Sequence, residues 1–448
     1  MFVASCSPAD VATTTSEGTT SSSGAETTTT TPDTTTTADG EIQDHLDWVV
    51  SLLNGGDITV EEYEARFTDE FRAQVPYETA FLPILTDLRA FAPYEIVERS
   101  GTGSGGSATI VGTDGTEFVV SGEVDDRGQF STLLVEPGQP PTLEDPPATV
   151  EEAFSELAEL GAAGGLSAEI VDGECLPVEA LSESEPVPLG SVFKLYVLAA
   201  VGEAIASGTI SWDDEIVIRE EMKSIPSGEL QNRPDGSTVT VLEAAQLMIS
   251  ISDNTATDLL IDLLGREVVE QVQGQYGNGN APLNTPFLTT RELTALKVGP
   301  ASGLRTPQWI EGGEADRRAI LEQISDITVA DLPLGEWTSP IDPDLVEWFA
   351  SPEDLCVLAV GLISLAGDVP EIASILEINP GIPAPEGSWD VIWFKGGSEP
   401  GLLAAWWVTQ AEGRTFFTFG SVVDPQQEID QTRAILLIAA ARDLMATG

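Results

Sequence analysis

Three short segments carry residue types capable of nucleophilic chemistry. The first, Ser191-Val192-Phe193-Lys194, sets a hydroxyl and an amine three residues apart. It lies just where an Ala- and Leu-rich run, Leu195–Ala206, should begin a helix. Residues at that spacing share a helix face, so the amine can take the serine proton if burial keeps it neutral. The helix start also offers free N–H groups and a positive dipole end to a developing oxyanion. The competing interpretation is a serine N-cap followed by a solvated lysine. Against it stands the scarcity of lysine, since Lys194, Lys223, Lys297 and Lys395 are the full set.

Ser252-Asp253-Asn254 lies between two predicted helices. Its hydroxyl can relay a proton, its amide can hold a substrate amide, and Asp253 can fix the loop. A plain helix N-cap is the simpler alternative. Lys395-Gly396-Gly397-Ser398 follows the predicted strand Val391–Phe394. Its glycines admit a substrate backbone and Lys395 adds positive charge; the alternative is a hairpin turn with a surface lysine.

In this order the three segments are far more specific than any one alone. Together they resemble the class A β-lactamase and penicillin-binding serine hydrolase family, over roughly residues 150–448. Val241-Leu242-Glu243 leading into Ile251-Ser252-Asp253-Asn254-Thr255-Ala256 is similar to that family's central segment. The resemblance implies acyl transfer. Ser191 is then the nucleophile, Lys194 the general base and Ser252 the proton relay. Asn254, with Gly396, Gly397 and Ser398, holds substrate, and Lys395 tunes the site. The N–H groups of Ser191 and Ser398 form the oxyanion hole. No cofactor is called for.

Two departures from the family pattern stand out. Its third motif is Lys-Thr-Gly or Lys-Ser-Gly, and Gly396 removes the hydroxyl that helps bind a β-lactam carboxylate. Glu399 next to it repels that carboxylate. The family's deacylating glutamate sits in Glu-x-x-Leu-Asn, whereas here the segment reads Asn280-Ala281-Pro282-Leu283-Asn284. An asparagine is no general base, so an acyl-enzyme would turn over slowly. Glu292, the next carboxylate, fits a capping box with Thr289.

Composition bounds the alternatives. The 448 residues suffice for two domains and a tail. A formal charge of −55, from 74 acidic against 19 basic residues, excludes nucleic acid and anionic membrane surfaces as partners. A single histidine, His45, leaves neither a Ser-His-Asp triad near Ser191 nor a multi-histidine metal site. Cys175 and Cys356 either pair in an oxidising compartment or remain buried thiols.

Val3-Ala4-Ser5-Cys6 resembles a lipobox, which makes Cys6 a lipidation site and the only route to a membrane. The Thr-rich run from Thr13 to Thr37 is a disordered stalk. Residues 1–40 are therefore a tail, and the expected location is export, as a cell-surface lipoprotein or free. Residues 41–137 read as a small α+β domain. It has helices over Ile42–Leu53, Val60–Ala73 and Phe81–Ala90, then strands over Ala108–Gly112, Glu117–Val124 and Gln129–Val135, joined by turns at Thr113-Asp114-Gly115 and Asp125–Gly128. That order resembles the cone of nuclear transport factor 2. The two-domain plan resembles the β-lactamase-like protein of clavulanic acid biosynthesis.

A Pro-rich linker, 138–149, leads to an α+β domain over 150–448. Thr149, Thr240 and Ser351 cap helices there, and strands lie at Leu166–Val171, Val391–Phe394, Leu402–Thr409 and Thr415–Val422. A helix over Gln426–Met445 closes the chain. The expected function is an exported serine hydrolase acting on a β-lactam or an ester, a small-molecule substrate. The alternatives are a penicillin- or peptidoglycan-binding protein that acylates with little turnover, and a non-catalytic surface module.

Overall fold

The computed structural model describes residues 41–447, apart from 57, 90–91, 113–115, 126, 139–141 and 334–336. The lipobox-like start, the Thr-rich stalk and the turn at residues 113–115 lie outside the described residues. The chain forms two compact units, divided between Pro141 and Thr142.

In the first unit, helices precede a four-stranded antiparallel meander of Glu95–Thr102, Gly105–Val111, Glu117–Val124 and Phe130–Pro137. Ile42, Leu46, Val49 and Val50 put one face of the helix Glu41–Leu53 into a core shared with Ala108, Ile110, Val120 and Phe130 of the sheet. The helix expected over Val60–Ala73 is two helices, Val60–Arg66 and Asp69–Gln74. Phe67 is extended and bridges to Phe130, and the Thr68 hydroxyl accepts the N–H of Phe71 to start the second helix. Burying Phe67 against Phe130 overrides local helical continuity. His45 packs edge-on against Phe130, ring centroids 5.5 Å apart.

The second unit is built on a five-stranded antiparallel sheet. Its spatial order is Val391–Glu399, Leu402–Ala411, Arg414–Val423, Ala162–Val171, Glu174–Leu181. Alternation along one strand feeds two cores. Leu403, Ala405 and Trp407 face the helices Val150–Ala158 and Gln431–Leu444, while Ala404, Trp406 and Val408 face the helical half of the unit. At the centre of that half the helix Lys194–Ala206 is buried from Lys194 through Gly202 and apolar there apart from Lys194, with Glu203 exposed near its end.

Local caps fix the helix starts. Thr149 accepts from Glu152 N, Thr240 from Glu243 N, and Thr289 with Glu292 closes a full capping box. Ser351 caps the helix Pro352–Asp368 and reciprocates with Asp354. The closing helix begins at Gln431, later than residue 426, because Asp430 supplies its cap. The strand Glu174–Leu181 was not anticipated; Cys175 on it bonds Cys356 on the helix Pro352–Asp368, Cα–Cα 6.3 Å. Of the two alternatives for these cysteines, the disulfide is the one formed. Among the described residues, no helix is long and apolar enough to cross a membrane, and no cluster of three or more His, Cys, Asp or Glu could hold a metal ion.

Candidate active site

The site lies where the start of the central helix meets the edge strand of the sheet. Ser191 sits on a 3-10 turn, Gly190–Phe193, that runs directly into the helix Lys194–Ala206. Gly190 has φ +48°, and a Cβ there would lie 2.9 Å from Gly397 C and 3.0 Å from Ser398 N. A Cβ on Gly397 would in turn strike Leu189 O and Ser191 N. Both glycines are thus required by one backbone-to-backbone approach, which packs the Gly190–Ser191 backbone against the Gly397–Ser398 backbone. Lys395-Gly396-Gly397-Ser398 does not end its strand: the strand runs through to Glu399 and the turn falls at Pro400-Gly401. The hairpin-turn alternative is therefore excluded.

Lys194 is fully buried. Its Nζ bonds Asn254 Oδ1 at 2.7 Å, Ser252 O at 2.7 Å and Ser252 Oγ at 3.0 Å. Ser252 holds a left-handed conformation, φ +58°, unusual for a non-glycine residue, and so presents both its carbonyl and its hydroxyl to one amine. From the other side Lys395 Nζ bonds Ser252 Oγ at 3.0 Å and Gly396 O at 2.7 Å. One hydroxyl therefore bridges two buried amines.

Burial lowers the Lys194 pKa to about 7, although Asp253 and Asp258 pull the other way. Burial, and then the positive charge of Lys194, push Lys395 well below the ordinary lysine range. The pair can hold a free amine near neutral pH, and Ser252 Oγ can pass a proton between the two. The Ser191 hydroxyl opens onto the same cavity but is not hydrogen-bonded to Lys194 or Ser252; all three bonds of Lys194 go to the Ser252–Asn254 turn.

Asp253 carries the turn and does not face the chemistry. It caps the helix Asn254–Leu264 through Ala256 N at 2.8 Å and accepts Glu229 N at 2.7 Å and Leu230 N at 2.9 Å. Ser227 Oγ adds a bond to Ser252 O. Deeper in, Asp258 accepts Thr290 N and Arg291 N, so the start of the next helix is tied to the same frame. Burial raises the Asp258 pKa to about 6.

The cavity has a volume of about 460 Å³ and holds Ser191, Ser252, Asn254, Gly396, Gly397 and Ser398 in its wall. Glu347, Trp337 and Trp348 also line it, and none of them was singled out from the sequence. They come from an irregular stretch before Ser351, with no periodicity or motif to mark them. Glu347 accepts the N–H groups of Gly190 and Trp348 beside the nucleophile, and burial together with Glu399 raises its pKa to about 8. Glu399 is buried against Lys297, and burial raises its pKa as well. Three of the four lysines in this strongly acidic chain, Lys194, Lys297 and Lys395, are thus buried at or behind the cavity.

The Asn280–Asn284 segment is structural. Asn284 bonds Phe349 O at 2.8 Å, Phe349 N at 2.7 Å and Gln273 Oε1, and Asn280 bonds Asp354. Glu292 closes the box with Thr289 and pairs with Arg266.

A Ser-x-x-Lys helix start, a Ser-Asp-Asn turn and a Lys-Gly-Gly strand edge meet where an antiparallel sheet joins a helical half. Residues 157–307 match the beta-lactamase enzyme family, and residues 37–130 match the ORF 12 gene product N-terminal family. The second unit is β-lactamase-like, and a separate N-terminal domain precedes it. No curated protein matches the chain. Among solved structures, the beta-lactamase from Sphaerobacter thermophilus is 21% identical, with 67% of this chain and 97% of that one covered and a TM-score of 0.48. PBP-A is 18% identical, with 68% and 97% covered and a TM-score of 0.45. A beta lactamase from Xanthomonas campestris is 17% identical, with 67% and 100% covered and a TM-score of 0.47.

Proposed function

We propose that the second unit is a serine acyl hydrolase that forms an acyl-enzyme at Ser191 from a β-lactam or an ester. The observation that carries this reading is the Ser252 hydroxyl bridging Lys194 and Lys395 in the wall of the cavity onto which Ser191 opens. Ser191 Oγ attacks the carbonyl carbon and its proton passes to neutral Lys194. Hydrogen bonds of this kind commonly close only once substrate is bound, which accounts for the open Ser191 hydroxyl. The oxyanion is met by the N–H groups of Ser191 and Ser398. The proton then moves through Ser252 to the leaving oxygen or nitrogen as the acyl bond breaks.

Water must next attack the ester on Ser191. With Asn280 and Asn284 committed to structure, Glu347 is the carboxyl beside the nucleophile. It is mostly protonated at neutral pH, which makes it a weak base there and favours a long-lived acyl-enzyme. The second reading, a penicillin-binding protein with little turnover, rests on that observation. Export, with or without a lipid on Cys6, belongs to the same proposal and is supported by the Cys175–Cys356 disulfide.

The test is mass spectrometry of the intact protein after exposure to penicillin G and to p-nitrophenyl acetate, alongside release of p-nitrophenolate. A mass increase mapped to Ser191, absent in Ser191→Ala, is expected. A folded wild-type protein that acquires no adduct from either compound and turns over neither would leave only a non-catalytic surface module.

A further inference from the structure

We propose that the cavity wall formed by Phe394, Leu403 and Ile435 holds the departing group of the substrate, and that this group is uncharged and apolar. This rests on the acyl-transfer reading above and names the substrate class for it. Pairing along the strand Val391–Glu399 is regular, so alternate side chains face opposite ways. On one face Lys395 reaches Ser252, Gly397 abuts Ser191 and Glu399 pairs with Lys297. Phe394, Gly396 and Ser398 belong to the other face, with Trp407 opposite Phe394 and Leu403 opposite Ser398. The helix Gln431–Leu444 packs on that face and brings half-buried Ile435 to the cavity. The Phe394 ring packs against Trp407, centroids 4.8 Å apart, and its Cζ lies 2.9 Å from where a Cβ of Gly396 would be. An aromatic ring therefore fills the space beside Gly396, and it lines the cavity together with Leu403 and Ile435.

The proton route puts the departing group on this side. Ser191 Oγ bonds to the carbonyl carbon and its proton goes to Lys194. The bond from that carbon to the departing oxygen breaks. The oxygen keeps the electron pair and takes a proton from Ser252 Oγ, which Lys194 replaces. Ser252 Oγ is tied through Lys395 Nζ to Gly396 O, at 3.0 and 2.7 Å. The departing oxygen thus leaves next to Gly396, where Phe394 stands. Nothing there provides for charge. Among the described residues no lysine, arginine or histidine lines the cavity. The amines of Lys194 and Lys395 turn to Ser252, Asn254 and Gly396 O, and Lys297 is taken by Glu399. An anion on the departing group would lose its water against Phe394, Leu403 and Ile435 with no cation in the wall. An apolar group gains from the same burial.

Matched esters test this: phenyl acetate, 2-naphthyl acetate and 6-acetoxy-2-naphthoate vary the departing group, and phenyl butyrate lengthens the acyl side instead. Each kcat/KM, which reports the steps through acylation, is divided by that ester's rate with hydroxide. Assays run in 1 M sodium chloride, where a screening length of about 3 Å removes the influence of the chain's overall charge. On the wild type, 2-naphthyl acetate should exceed both phenyl acetate and the naphthoate by about tenfold or more, the scale of a methylene or two held in an apolar pocket. Ile435→Arg puts a cation in the wall and should raise the ratio of naphthoate to 2-naphthyl acetate by about tenfold. Phe394→Leu keeps the wall apolar but removes the ring. It should cut the naphthyl-to-phenyl ratio by about fivefold, the size of one aromatic contact, and leave the butyrate-to-acetate ratio unchanged. Should Ile435→Arg lose the wild-type circular dichroism, Phe394→Leu decides alone. Naphthyl and phenyl acetates within about twofold of each other, a naphthoate processed as well as 2-naphthyl acetate, or ratios that folded variants do not move overturn the proposal. So does a butyrate ratio that falls with the naphthyl ratio in Phe394→Leu, which assigns the wall to the acyl chain. If no ester reacts, calorimetry on Ser191→Ala with 2-naphthol and 6-hydroxy-2-naphthoate decides. Tighter binding of 2-naphthol, weakened in Ser191→Ala/Phe394→Leu, upholds the apolar wall while acyl transfer falls. Equal binding of the two, or none, overturns the wall as well.

Discussion

Lys194 is the residue on which the proposed chemistry turns, and its protonation gives a pH signature. A lysine lowered to about 7 is an ammonium below that pH and a free amine above it. The acylation burst with an activated ester should therefore rise as pH passes upward through about 7 and then level off. Lys194→Arg, which cannot lose its proton, should lose at least about a thousandfold in burst rate at any pH between 6 and 9. A burst independent of pH over that range would show that another base takes the serine proton. Stability moves in the same direction. The folded value lies below the unfolded 10.5, so the unfolded chain holds the extra proton between about pH 7 and 10.5. The contribution from this group is present above pH 10.5 and lost as pH falls toward 7. Glu347 has the opposite displacement, with a pKa raised to about 8, and its carboxylate form grows as pH rises through that value. The lifetime of the acyl-enzyme, followed by mass spectrometry, should shorten across that window in the wild type. In Glu347→Gln it should be longer by about a hundredfold or more and flat with pH.

At the scale of elements, the site depends on two junctions. One is the approach of the Gly190–Phe193 turn to the strand Val391–Glu399, where Gly190 and Gly397 leave no room for a Cβ. Gly397→Ala should push the strand away from Ser191 and lower the burst rate by about a hundredfold, the scale of a damaged oxyanion hole. Its melting temperature should fall only modestly, because the rest of the strand remains paired. An unchanged burst would remove these two N–H groups from the mechanism. The other junction is the Ser252–Asn254 turn, held by Asp253. What the sequence made legible divides along the same lines. Ser191, Lys194, Ser252, Asn254 and Lys395 could be singled out as candidates because each sits in a short segment with its own local logic, a helix start, a cap or a strand edge. The caps at Thr149, Thr240, Thr289 and Ser351 were legible for the same reason. Glu347 and Trp337 were not, since tertiary packing alone brings an irregular segment to the cavity. The break at Phe67 was missed because a contact with Phe130, far along the chain, decides it. The reach of the third-motif strand through Glu399 was missed because pairing with Leu402–Ala411 extends it past two glycines.

For the whole molecule, charge and cross-linking set the terms of stability. The Cys175–Cys356 bond ties the outer strand of the sheet to the helix Pro352–Asp368 across 181 residues of sequence. A loop that long gives an upper figure of about 5 kcal/mol from unfolded-state entropy, so the Cys175→Ala/Cys356→Ala variant should melt well below the oxidised wild type. Reductant should bring the wild type down to the variant's temperature and leave the variant where it is. The second term is self-repulsion. A chain with 74 acidic and 19 basic residues carries a formal charge of −55, and in the folded state those charges are confined to a smaller volume than in the unfolded chain. At low ionic strength the screening length exceeds the spacing of surface charges; at 1 M it is about 3 Å and leaves only contact pairs. The melting temperature should therefore climb steeply from 10 mM to 1 M sodium chloride, with most of the rise below about 0.2 M, where the screening length changes fastest. Lowering the pH to about 5 at low salt tests the same term, because partial protonation of the carboxylates reduces the net charge, and it should reproduce part of the gain. A melting temperature flat in salt would mean that the surface acids are already neutralised by bound cations. Dialysis against a chelator before the same titration would then restore the slope.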